Sequence, residues 1–207
     1  MKKLTTTSYA ILGLLALRPW SAYELSQQMR RNVGAFWPRA ERGIYDEPKN
    51  LVAHGYATAT DEQTGRRART VYAITAAGRR ALRAWLAEDS TPPQFESEAV
   101  LRIAFAEHGR KGDAQRTLAA LRAQVEEHRR LVTDVARAYL EGQGPYPERV
   151  HTISLVARFF ADYYALLDSW AEWADGEIEA WGEIGRPPAE GGPLATLAEL
   201  AALRPVN

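Results

Sequence analysis

The sequence predicts a mainly α-helical protein with one short β-hairpin in its first half and long helices in its second. Three observations carry this. The hydrophobic period changes from helical to alternating and back between residues 56 and 76. Apolar residues at heptad spacing run from Ala114 to Tyr139, and a doubled apolar face runs from Val150 to Trp181. The charge, 26 basic against 26 acidic residues over the whole chain, divides unequally. Residues 1–90 hold 14 bases and 8 acids, a net +6, and the remainder holds 12 bases and 18 acids, a net −6. Such asymmetry is expected when only one half meets a polyanion.

The predicted organisation is an N-terminal domain at residues 1–90, a helical domain at 94–186 and a tail at 187–207. The joint is Asp89-Ser-Thr-Pro-Pro93, where two prolines stop a helix from running through. At 46% apolar and 25% charged residues the chain is too apolar to be disordered. Cysteine is absent, which excludes a disulfide framework, a thiolate nucleophile and a Cys-ligated metal site, and fits a reducing cytoplasm. The longest apolar run, Ala10 to Leu17, is far too short for a membrane span. Lys2-Lys3 ahead of it invites a signal-peptide reading. Against that, Thr5-Thr6-Thr7-Ser8 interrupts the approach and no Ala-x-Ala site follows, so the segment reads as a buried helix in a cytoplasmic protein.

Thr5 to Leu17 is the first predicted helix, closed by Arg18-Pro19. Ser21-Ala-Tyr-Glu24 has the pattern of a capping box and opens a second helix running to about Arg31. A third spans about Ile44 to His54, with Gly55 suited to a left-handed C′ position. Tyr56 to Thr60 is a short strand candidate, Asp61 to Arg67 a polar turn containing Gly65, and Thr70 to Thr75 an alternating strand. Thr75 caps a fourth helix through Leu86. Helix, helix, helix, basic hairpin, helix is the order of a winged helix-turn-helix with a two-stranded β-wing. A helix with polar side chains at its N-terminal end fits the major groove, where base edges are distinguishable. A hairpin carrying Arg66, Arg67 and Arg69 can follow phosphates or enter a narrow minor groove. The competing reading is a solvated hairpin tip.

The ordered set Ala10-Ile-Leu-Gly-Leu-Leu15, Pro19-Trp-Ser-Ala-Tyr-Glu-Leu25, Phe36-Trp37, Gly43-Ile-Tyr45, Leu51, Gly55, Arg69-Thr-Val-Tyr-Ala-Ile-Thr75, Gly78, Leu82 and Trp85-Leu86 resembles the PadR family of bacterial transcriptional regulators. The resemblance implies a dimeric repressor with an N-terminal winged helix and a C-terminal long-helix dimerisation domain. It departs in the third helix: Gly43 stands where the family usually has Thr, Asp46 where it has Pro, and Pro48 where it has Leu. Proline lacks an N–H and fits only the first turn, so Pro48 sets the start of that helix near Ile44 or later, with Asp46 a candidate cap. The DNA-contact candidates are Tyr23, Arg42, Tyr45, Lys49, Asn50, Arg66, Arg67 and Arg69. Tyr45 corresponds to the family's tyrosine, for which the resemblance implies a phosphate contact; core packing is the alternative. Asn50 reads adenine if it faces the groove.

In the second half, Glu96 to Ala106 reads as a short helix, and Asp113 can cap the next one, which runs to about Glu141. Its apolar seam is Ala114, Leu118, Leu121, Val125, His128, Val132, Val135 and Tyr139, roughly 40 Å of helix at about 1.5 Å per residue. The last long helix starts at Pro147 and ends at Gly185. Its first seam runs Val150, Ile153, Ala157, Phe160, Tyr164, Leu167, Ala171, Ala174, Ile178 and Trp181. A second seam runs Val156, Phe159, Tyr163, Leu166, Trp170 and Trp173. Two seams are too wide for one partner helix, which points to a homodimer. A two-fold dimer places its reading helices on half-sites about one DNA turn apart, or a multiple of that, on a palindromic double-stranded DNA operator. The aromatic crowd is core and dimer packing or, as the family resemblance implies, lines a site for a small aromatic or hydrophobic effector. The effector candidates are His128, Phe160, Tyr163, Tyr164, Trp170 and Trp173. His128 is either a packed residue with one hydrogen bond or a pH-sensitive or ligand-contacting group. The tail carries a short Leu/Ala helix at about Leu194 to Leu203.

No nucleophile elbow, phosphate-binding loop, zinc-protease motif or dinucleotide fingerprint occurs, and the four histidines lack metal-ligand spacing. The expectation is a DNA-binding regulator that is not an enzyme and needs no cofactor, metal or membrane. The alternative is a helical dimeric module whose winged helix binds a protein partner.

Overall fold

The structure, a computed structural model, describes residues 4–34, 37, 43–64, 67–182 and 192–203, with backbone alone at 31, 32, 64, 67 and 68. The chain divides into two compact units, residues 1–93 and 94–207.

The first unit is built around α1 (Thr6–Leu17). Its N-terminus is closed by Thr5 and Ser8, whose side chains each accept the other's backbone N–H, at 3.1 and 2.9 Å. Ile11, Leu12, Leu14 and Leu15 are buried, and α2, α3, β3 and α4 all pack on this helix. After the Arg18-Pro19 break the chain enters β1 (Trp20–Ser21) and α2 (Ala22–Gln28). A π-helical turn, Met29–Val33, prolongs α2 through the region predicted as its end, with the Gly34 N–H donating to the Met29 carbonyl five residues back.

Trp20 is almost fully buried, its indole N–H donating to the Leu14 carbonyl at 2.8 Å while the Arg18 guanidinium lies 3.5 Å over its ring. β1 was not predicted, because two residues carry no period. It pairs antiparallel with β3 (Arg67–Ile74), Trp20 opposite Tyr72, and β3 pairs with β2 (Ala57–Thr64) to give the order β1-β3-β2. Both wing strands are longer than predicted. The ladder continues to Thr64 opposite Arg67, so most of the expected polar turn is paired strand.

α3 (Glu47–Ala53) starts three residues later than the apolar pattern implied. Pro48 is at its second position, where a missing N–H costs no helical bond. Asp46 is at the N-cap but makes no side-chain cap, because its own backbone is already helical (φ −95°, ψ −31°) rather than extended. Gly55 ends the helix at φ +77°, a conformation that favours glycine. α4 (Ala76–Leu86) begins as predicted at Thr75, whose hydroxyl accepts the Gly78 N–H at 3.0 Å. Gly78 is obligatory here. A Cβ would sit 2.2 Å from the Tyr56 carbonyl oxygen and 2.8 Å from Ile74.

The second unit begins with α5 (Glu98–Ala104), capped by Ser97, and a 3-10 turn at Ala106–His108. It is dominated by α6 (Lys111–Leu140) and α7 (Val150–Glu179), each of 30 residues. Asp113 is at the third position of α6 and not its cap; its carboxylate reaches back to the Arg110 N–H at 3.1 Å. Pro147–Arg149 form a separate 3-10 turn before α7, and α7 stops at Glu179 rather than Gly185. That end is held from far away in sequence: the Lys111 ammonium donates to the carbonyls of Glu179 (2.6 Å) and Trp181 (3.2 Å). Arg122 and Arg129 pair with Asp168 at 3.0 and 3.6 Å across the two helices.

The first seam of α7 is the one that packs on α6. Ala114, Leu118, Leu121 and Val125 are buried with Tyr164, Ala171, Ala174 and Ile178. Beyond Val125 the α6 seam is only partly covered: Val132 packs against the core, while His128 and Val135 are exposed. The second seam of α7 lies open at Val156, Phe159, Leu166 and Trp173. α8 (Gly192–Ala201) follows, two residues earlier than predicted. No helix among the described residues is long and apolar enough to cross a membrane.

The capping box of α2 yields a pH test. The Ser21 N–H donates to Glu24 at 2.8 Å and the Glu24 N–H to the Ser21 hydroxyl at 3.3 Å. The Ser21 backbone N–H, then its hydroxyl and Arg18, hold the Glu24 carboxyl below its usual range against the opposing effect of burial. A carboxylate with a depressed folded pKa stabilises above its unfolded value, near pH 4.3, and loses that contribution as pH falls through the folded pKa. Glu24→Gln should therefore cost about 0.5–1 kcal/mol at pH 7. The gap should close in acid below about pH 4, read by urea denaturation of both proteins at each pH.

Candidate nucleic-acid interface

The outer face of α3 is set by what its inner face buries. Ile44, Pro48 and Leu51 are buried, which turns Asp46, Lys49 and Ala53 outward, with Asn50 between them at i, i+3, i+4, i+7 spacing. Tyr45, just ahead of the helix, is 55% exposed, so it is not a core residue in this unit. Tyr23 on α2 is 67% exposed, its hydroxyl accepting from the Gln27 amide at 3.1 Å. Tyr23, Tyr45, Lys49 and Asn50 are thus surface groups on the helix-turn-helix. Arg42 and Arg66 lie outside the described residues, and of Arg67 only the backbone is described.

Two of the candidate cations, Lys49 and Arg69, have acidic neighbours that counting charge does not reveal. Lys49 lies 3.5 Å from Asp46. Arg69 donates through two nitrogens to one Glu62 oxygen, at 2.9 and 3.3 Å, because the ladder sets Glu62 opposite Arg69. One position along, Thr70 donates to Asp61 at 2.9 Å. Such exposed pairs contribute about 0–1 kcal/mol each and yield readily to a stronger anion. Asn50 donates to Glu47 at 3.2 Å. Glu47 and Glu62 are the residues sequence reading missed. A two-residue connection would have placed Glu62 across from Arg69, but the predicted turn was too long to show it.

The six effector candidates fall on α6 and α7. His128, Phe160, Tyr163 and Tyr164 come together. The Tyr164 ring centroid is 5.2 Å from that of His128, 5.8 Å from Phe160 and 5.5 Å from Tyr163. Phe159 extends the group, 5.4 Å from Phe160 and stacked at 6.2 Å on Tyr163. Burial pushes both tyrosine phenols up from their ordinary pKa. Trp170 packs against the core and Trp173 is half exposed. A shallow depression on α6 is lined instead by Glu126, Arg129, Arg130, Thr133, Asp134 and Arg137, none of them aromatic. Among the described residues no group of three His, Cys, Asp or Glu could hold a metal ion.

Residues 11–84 match the transcriptional regulator PadR-like family. The chain is 31% identical over 99 residues to the negative transcriptional regulator PadR of Bacillus subtilis, 47% of this chain and 54% of that protein. It is 35% identical over 85 residues to a probable transcriptional regulator of Mycobacterium tuberculosis, 41% of this chain and 45% of that one. It thus spans about half the length of the curated relatives it matches. In fold it is similar to smu.1604c of Streptococcus mutans, with a TM-score of 0.70 at 21% identity over 83% of this chain and 98% of that one. It is also similar to B. subtilis PadR solved with operator DNA, at 0.66 and 23% over 84% and 99%. The same protein solved with p-coumaric acid gives 0.60 at 20% over 86% and 99%. The N-terminal winged helix of this chain is a PadR-like family domain.

Proposed function

We propose that this chain is a homodimeric DNA-binding transcriptional regulator of the cytoplasm. It represses by occupying a palindromic operator and leaves it when a small aromatic effector binds the second unit. The observation that carries the reading is the row of exposed Tyr45 and Lys49 and half-buried Asn50 on the α3 side of a PadR-like domain that also bears an arginine-rich wing. Operator DNA bound to the B. subtilis relative supports it, and p-coumaric acid bound to that relative supports an aromatic effector; its proposed site here is the group His128, Phe160, Tyr163, Tyr164, Trp170 and Trp173. In this reading Tyr23, Tyr45, Arg42 and the wing residues Arg66, Arg67 and Arg69 hold phosphates or the minor groove, and Lys49 and Asn50 face bases. The domain limits proposed are 1–90 and 94–186, followed by the 187–207 tail.

Arg66→Ala with Arg67→Ala should weaken binding to all duplexes alike and lower the salt slope by about 2, about one per phosphate contact. An unchanged slope favours the protein-partner alternative. Glu62→Gln should act in the opposite sense: it removes an anion beside the phosphates and frees Arg69, tightening non-specific binding by about two- to five-fold, the range of an exposed ion pair. Fluorescence anisotropy against a random duplex over a salt series measures both.

The homodimer rests on the open second seam of α7, where Leu166 is 64% exposed. Exposed apolar rows of this kind mark interaction surfaces. Leu166→Arg should convert a dimer to a monomer in sedimentation equilibrium and abolish operator binding at concentrations that saturate the parent protein. A parent chain that sediments as a monomer removes this part of the reading.

A further inference from the structure

Asn50 is the base-reading candidate on α3, and Glu47, three residues before it, carried no functional expectation. We propose that Glu47 is a positioning residue that fixes which end of the Asn50 amide meets a base, an inference that rests on the DNA-binding reading above.

Ser8 is fully buried on α1. Its oxygen accepts the Thr5 backbone N–H at 2.9 Å, and its single hydrogen is donated to Oε1 of Glu47. The Thr5 hydroxyl, 3.0 Å from the same Ser8 oxygen, is therefore the donor in that contact. The other Glu47 oxygen, Oε2, accepts from Nδ2 of Asn50 at 3.2 Å. One carboxylate thus joins the packed start of α1 to the half-buried Asn50 on the outer side of α3. It does so at the end where Asp46 makes no cap and where the helix is only seven residues long.

A carboxylate has no hydrogen to donate, so the atom of Asn50 that faces it must be the NH2 group. Turning the amide over would set its carbonyl oxygen against Glu47, a repulsive contact that also leaves the carboxylate oxygen without its donor. The remaining N–H and the Oδ1 of Asn50 are then presented to solvent in one fixed order. A bidentate donor–acceptor edge of fixed order is what discriminates adenine, through N7 and N6, from the other bases in the major groove. Without Glu47 both orders of the amide are available and the discrimination is lost, while phosphate contacts are untouched.

The test is a selection from a randomised duplex library of about 30 base pairs, enough for two half-sites about one turn apart or two. It uses the full chain carrying no change, Asn50→Ala, Glu47→Gln, or both. The parent should prefer adenine at one position in each half-site. Asn50→Ala should erase that preference. Glu47→Gln should erase it at the same position by about ten-fold, with affinity for random duplex and the salt slope unchanged. The double variant should be no worse than Asn50→Ala alone. Thermal unfolding shows whether Glu47→Gln is folded. If it is not, the paired variant Glu47→Ala with Ser8→Ala, which removes the carboxylate together with the buried hydroxyl that donates to it, should produce the same positional loss. The proposal is overturned if Glu47→Gln keeps the adenine preference that Asn50→Ala abolishes, if it weakens all sequences equally, or if Asn50→Ala changes no position. A parent chain that enriches no sequence overturns the DNA-binding reading itself, a result distinguishable from all of these.

Discussion

The first unit depends on a helix with almost no polar face. Residues 9–17 of α1 are apolar apart from Tyr9 and Gly13, and the elements around it each bury a different part of its circumference. The indole of Trp20 holds the strand pairing to the last turn of α1, and Ser8 holds the start of α3 to the first. Wing and α3 are therefore indexed to two separate points on one rigid element, Leu14 and Ser8, about 9 Å apart at roughly 1.5 Å per residue. Burying α1 is mostly a hydrophobic term without direction. The two buried hydrogen bonds at its ends give it one, because each would leave a polar group unsatisfied in any other register.

What was legible in the sequence was local. The Ser21–Glu24 box, the Thr75 cap and the Gly55 terminus each involve residues within four positions of one another, so residue type and spacing were enough. The order of elements in the winged helix was legible for the same reason, since each has its own period. The two-residue strand at Trp20 was not, because it exists only through Tyr72, some fifty positions away. The end of α7 was read too late because Gly185-Arg-Pro-Pro188 is a stronger local stop than anything at Glu179. The actual stop is Lys111, a lysine on another helix. The heptad seams named the correct faces of α6 and α7. Spacing says which residues share a face and nothing about what covers it, so it could not decide between the packed and the accessible readings of His128, which is exposed in the single chain.

Charge was legible as a sum and illegible as a pattern. The excess of bases in residues 1–90 was correct arithmetic, yet Asp46 and Glu62 are placed against Lys49 and Arg69 by helix spacing and strand register. Under the proposed DNA-binding reading, interleaved acids have a physical use on this surface. They hold long cationic side chains in defined rotamers and raise the cost of a loosely placed phosphate. They also keep the unit from self-repulsion when nothing is bound.

The base of the wing is closed by few atoms. Thr75 donates its backbone N–H to the Tyr56 carbonyl and its hydroxyl hydrogen to that of Gly55, and Gly78 brings α4 against the same Tyr56 oxygen. Mechanically the two-stranded ribbon is a cantilever, clamped at one end and, among the described residues, paired with no further strand beyond β1. Eight residues at about 3.3 Å each make it roughly 26 Å long. A rotation of only about 5° at the clamp then carries Thr64 and Arg67 by about 2 Å, more than half the length of a hydrogen bond. α4 starts one residue after the clamp, so a torque on α4 is transmitted with that gain. The small hydrogen-bonded knot at Thr75 is where the stiffness of the whole arm is set.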